Sequence, residues 1–119
     1  MLLIINGMYD LMCAFSILYF NKGFFAEIHT NMYKIDSISL LSKRFLAYWI
    51  FTNGMVRLFS GIFPFLYIAS AITYFIEVFV FVNEFIMDKM KLRNVLFVTV
   101  TSFIIGTLLI YASNKRFQL

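Results

Sequence analysis

The sequence predicts an all-α, polytopic membrane protein: four transmembrane helices in an antiparallel bundle, with residues 1–119 forming one domain. Three observations carry that expectation. Apolar residues make up 62% of the chain and the mean hydropathy is +0.87. Charged residues are only 13%, against roughly 25% in an average soluble domain. The apolar residues also fall into four continuous runs, each close to the roughly 20 residues that cross about 30 Å of hydrocarbon. Lipid offers no hydrogen bonds to peptide groups, so uninterrupted runs of this length imply helices, whereas a barrel needs short alternating segments.

The first span is expected at about 2–20, closed by Asn21, Lys22 and Gly23. No basic segment or small-residue cleavage pattern accompanies it, so it reads as a retained span rather than a cleaved signal. Cys13 stands alone within it and reads as a small buried hydrophobe, leaving no internal disulfide or cysteine metal site. Residues 21–43 form the one loop long enough to hold structure outside the bilayer. Phe24, Phe25, Ile28, Met32 and Ile35 recur at helical spacing there, which fits either a short helix on the membrane surface or an ordinary loop. Asp36, Ser37 and Ser39 are each able to cap the following helix.

The second span is expected at about 45–63. Pro64 falls where a new helix begins, a place suited to its fixed φ and missing N–H. The third span runs over about 65–87 and ends at the charge cluster from Asp88 to Arg93. The fourth covers about 94–112 and is followed by a tail with Lys115 and Arg116. The short connections make successive spans antiparallel. Lys22, Lys34, Lys43, Arg44, Lys89, Lys91 and Arg93 then share one face, opposed by only Lys115 and Arg116. That bias places the loops in the cytosol, against anionic headgroups. The net charge of +4 does not indicate nucleic acid, because no basic stripe is free of apolar surface.

Ionisable groups inside the bilayer cost about 2.5–3.5 kcal/mol at its centre, so they face inward and find partners. Counting about 1.5 Å per residue from the face holding the termini puts Asp10 roughly 12 Å deep and Arg57 roughly 9 Å deep, close enough to pair. Glu77, roughly 19 Å deep, is expected to lie beyond reach of Arg57 and near the indole N–H of Trp49. Trp49, Asn53 and Arg57 recur at successive turns and form one inward face, with Arg44 as a headgroup anchor at the cytosolic end. Clamping of helices to one another, or to a partner subunit, accounts for these residues. A proton or ion path is the alternative reading. His29 is the sole histidine, and no phosphate loop, nucleophile elbow or metalloprotease pattern is present, so the expectation is a chain that is not an enzyme and carries no cofactor.

The stretch Leu41–Gly61, LSKRFLAYWIFTNGMVRLFSG, resembles the second span of the ergosterol biosynthetic protein 28 family. That span opens Leu-Ser-x-Arg, with a Trp five residues after the Arg and a second Arg eight residues after the Trp. Leu41, Ser42, Arg44, Trp49 and Arg57 match without a gap. Ala71–Phe81, AITYFIEVFVF, is similar to the family's apolar third span with its glutamate, here Glu77. The chain departs from the family at Ala47, Tyr48 and Ile50 around the Trp, and at Thr73, Tyr74 and Phe75 where a histidine is common. The resemblance implies a four-span endoplasmic-reticulum scaffold that tethers the enzymes of sterol C-4 demethylation. The other expectation is an accessory subunit of a large assembly in the mitochondrial inner membrane or a virion's internal membrane, in keeping with the abundance of Phe, Ile, Asn, Lys and Tyr. A sterol-isomerase-like enzyme and a small channel complete the alternatives.

Overall fold

A computed structural model describes residues 1–20, 23, 27–28, 40–87 and 90–115. Its elements are all helical. Helix α1 (Leu2–Phe15) continues into a π-helical turn over Ser16–Phe20. Helix α2 spans Leu40–Ile62 and α3 spans Tyr67–Ile86, the latter entered through a 3-10 turn at Pro64–Leu66. Helix α4 is Leu92–Lys115.

Three of these stretches are long and apolar enough to cross a membrane: Leu2–Phe20, Pro64–Ile86 and Leu92–Lys115. The fourth, α2, is long enough at 23 residues. Its hydropathy is lowered by Asn53, Arg57 and Ser60, all of them buried. Helix α2 also begins five residues before the span predicted from Phe45, so Ser42, Lys43 and Arg44 are helical. The surface helix proposed for residues 24–35 lies largely outside the described residues, where only Glu27 and Ile28 are helical. Asp36, Ser37 and Ser39 lie outside them too, as do Lys22, His29, Lys34, Asp88, Lys89 and Arg116.

The break between α2 and α3 has a local cause. Phe63 is extended, with φ −117° and ψ 97°, and Pro64 restarts the chain with its fixed φ and no N–H to satisfy. Ser60 ties the two sides together, its Oγ lying 2.7 Å from the Val56 carbonyl and 3.1 Å from that of Leu66.

The helices pair unequally: α1 packs closely on α2 and α3 on α4, while α2 and α3 join more loosely. Along the first pair, Ile4 meets Gly61, and Gly7 meets Gly54 and Leu58. Cys13, Ala14 and Ile17 then share an apolar cluster with Ala47 and Ile50, so residue numbers fall along α2 as they rise along α1. Tyr67, Ala71, Tyr74, Leu109 and Ala112 form a second cluster between α3 and α4, joined by Leu3 from the start of α1.

Polarity is distributed inside out. Asp10, Asn53, Arg57, Ser60, Ser70 and Ser102 are buried, whereas Ile5, Phe15, Phe45, Phe79, Phe97 and Phe103 are exposed. Exposed apolar faces of this extent need an apolar surrounding. Thr52, Thr101 and Thr107, on outward faces, each return their hydroxyl hydrogen to the carbonyl four residues back, which removes an unmet donor from that surface.

Candidate functional site

The close approach of α1 and α2 positions the site. A Cβ on Gly7 would stand 2.7 Å from the Leu58 nitrogen and 2.8 Å from the Gly54 carbonyl oxygen, so only a hydrogen fits between the two backbones. Small residues permit such contact in apolar surroundings, where van der Waals packing and polar bonds associate helices. One turn further along α1, Asp10 lies against Gly54 and beside Arg57.

Arg57 is the hub. Its Nη1 donates to Asp10 Oδ2 at 2.7 Å and lies 3.5 Å from Asn6 Oδ1. Its Nη2 donates to Glu77 Oε2, and its Nε donates to Thr73 Oγ1 at 3.3 Å. The guanidinium carbon stands 3.8 Å above the centre of the Tyr74 ring, a cation–π contact. Tyr74 in turn donates its hydroxyl hydrogen to Asn6 Oδ1. A planar group with five fixed donors is thus held by α1 through Asn6 and Asp10, and by α3 through Thr73, Tyr74 and Glu77. With side chains only 4% and 7% exposed, Arg57 and Asp10 form a pair that water hardly screens.

The pairing expected between Asp10 and Arg57 is present. The expected separation of Glu77 from Arg57 is not, and the reason is directional. Side chains on a helix lean toward its N-terminus. Arg57 therefore leans away from the α2–α3 break while Glu77 leans back toward it, and the two close a gap that Cα depths leave open. Trp49 consequently does not serve Glu77; its ring meets Phe81 edge-on at 6.0 Å, beside Met90 and Val95. Asn53 is buried one turn before Arg57, and Arg44 is exposed at the start of α2, apart from the cluster.

Asn6, Thr73 and Tyr74 were not among the residues expected to act. A signal for Asn6 and Thr73 is in the sequence: Asn6 precedes Asp10 by four residues, and Thr73 precedes Glu77 by four. Each pair of polar side chains therefore shares one face of an otherwise apolar helix.

A cavity of about 650 Å³ adjoins the cluster. Asn6, Tyr9 and Asp10 form one wall from α1, while Phe97, Val98, Ser102 and Ile105 form the opposite wall from α4. Arg57, Tyr74 and Glu77 make its floor, and the exposed Lys91 and Arg93 stand at the end where α4 begins. Among the described residues no group of three or more His, Cys, Asp or Glu side chains converges as a metal site. Comparison with protein-family models, curated proteins and solved structures gave no match.

Proposed function

We propose that the chain is an integral membrane scaffold without catalytic activity, built as a four-span antiparallel bundle that holds partner membrane proteins against its outer surface. The observation behind this reading is the way Arg57 is consumed internally. Four hydrogen bonds and one face of its guanidinium plane are taken by Asn6, Asp10, Thr73, Tyr74 and Glu77 of the same chain. The polar groups thus lock three helices, and the exposed outer faces are left apolar and free to receive other helices. In this reading α2 is the fourth span, tolerated in lipid because its partners neutralise it. Arg44, Lys91 and Arg93 lie toward anionic headgroups.

The resemblance on Leu41–Gly61 and Ala71–Phe81 points to the endoplasmic reticulum and to the sterol C-4 demethylation enzymes as partners. Crosslinking in native membranes followed by mass spectrometry tests this. The expected result is capture of those enzymes, together with accumulation of 4-methylsterols when the protein is removed. Normal sterols after removal would sink the sterol role. Capture of subunits of a respiratory complex or a virion membrane would instead assign the chain as an accessory subunit there.

A further inference from the structure

Clamping explains Arg57 but not the cavity beside it. Glu77 engages Arg57 through Oε2, and its Oε1 has no partner among the described residues. Its side chain is 17% exposed, the most open of the three charged groups, and it lines the cavity floor. Asn6 contributes beside it. Its Oδ1 is occupied by Tyr74 and Arg57, so the amide nitrogen is left as a donor. Phe97, Val98 and Ile105 make most of the facing wall apolar, and Ser102 adds one hydroxyl. A volume of about 650 Å³ falls within the roughly 300–1,000 Å³ of small-molecule clefts, and the exposed Phe97 leaves this one open on one side.

We propose that this cleft between α1 and α4 binds a lipid whose polar head is a hydroxyl group. The O–H donates to Glu77 Oε1, and the hydrocarbon body lies along Phe97, Val98 and Ile105. Other heads fit the floor less well. At the floor an anionic head would meet the carboxyl groups of Asp10 and Glu77, whose guanidinium partner Arg57 is already engaged by both, while the cations Lys91 and Arg93 stand away from the floor at the end where α4 begins. An ammonium head would be placed beside that same guanidinium. A hydroxyl supplies the missing donor without adding charge, and accepts from the Asn6 amide in return. Ring-based sterol alcohols and straight-chain alcohols share this chemistry.

The inference rests on the membrane reading above, and one preparation tests the two separately. Full-length protein in nanodiscs is exposed, in parallel, to a photoreactive sterol alcohol and a photoreactive long-chain alcohol. At least one is expected to label the peptide from Phe97 to Ile105 saturably, and the arm that labels identifies the source. The unlabelled alcohol should compete about tenfold better than its O-methyl ether, the difference one hydrogen bond makes. Ser102→Phe, which fills the cleft, should abolish labelling, while the ether comparison on the unaltered chain needs no variant. Equal competition by the ether, labelling spread over all four helices, or no labelling in either arm overturns the proposal. Extraction of the source membranes with alkaline carbonate separates the failures. Release of the protein defeats the membrane reading, whereas retention together with ether-insensitive labelling defeats the cleft alone.

Discussion

The two tight helix pairs are built on opposite principles. Between α1 and α2 the backbones touch: Gly7 and Gly54 leave no room for a methyl group, and the charge cluster sits one turn away. Between α3 and α4 the space is filled by side chains. Tyr74, Leu109 and Ala112 are buried there, Phe75 meets Phe103 edge-on at 6.0 Å, and the neighbour of Gly106 is the Phe75 ring rather than backbone. A backbone contact tolerates little displacement, while a ring turns aside. Geometry is therefore fixed at the first interface, where Asp10 and Arg57 must meet, and adaptable at the second, where only apolar volume must be filled.

Four single substitutions and one triple variant break or sharpen that contrast. The largest effect is expected from Arg57→Met, which strands the buried carboxyl group of Asp10 and the partly buried one of Glu77 and should cost about 3–5 kcal/mol. Unfolding in detergent measures it. Combining the change with Asp10→Asn and Glu77→Gln should recover part of the loss, because replacing all the charges removes the unpaired groups. A triple variant no better than Arg57→Met alone would count against a buried clamp. Gly7→Ala is expected to cost roughly 1–3 kcal/mol by overpacking, despite the usual helical advantage of alanine. A Gly7→Ala protein as stable as the parent would erase the distinction between the interfaces.

Smaller effects are expected away from the cluster. Trp49→Leu removes the edge contact with Phe81 and should cost about 0.5–1.5 kcal/mol, read in the same unfolding assay. Gly106→Ala should come close to neutral. Its methyl group would press on the Phe75 ring at 3.0 Å, and alanine gains up to about 1 kcal/mol in helix propensity. A loss as large as that of Gly7→Ala would mean that the α3–α4 pair is as rigid as the α1–α2 pair.

Much of this was legible in the sequence, and the rest failed for identifiable reasons. Hydropathy placed the first and third helices within a residue or two of Leu2–Phe20 and Pro64–Ile86, because in those segments the apolar run and the helix end together. It placed the start of α2 too late, since Leu41, Ser42, Lys43 and Arg44 extend the helix past the apolar run. The Asp10–Arg57 pair followed from depth alone. Glu77 did not, because Cα depths omit the lean of long side chains, and that lean brings Arg57 and Glu77 together across about two helical turns of offset. Gly7 and Gly54 carry no mark of their pairing in one dimension. Only the crossing of two backbones gives them a role.

The position of Arg57 within the chain has a consequence for how the protein is made. Helix α2 carries Asn53 and Arg57, and alone in hydrocarbon it would be the hardest of the four to accommodate. Synthesis delivers α1 first, with Gly7 and Asp10 already presenting a narrow groove and an acceptor. On the four-span reading proposed above, an emerging α2 would leave the insertion machinery toward a waiting companion rather than into bare lipid. Glu77 follows 20 residues after Arg57 and closes the other side of the guanidinium. On the same reading, a circular permutation that places α1 after α4 would deprive the nascent arginine of its first host.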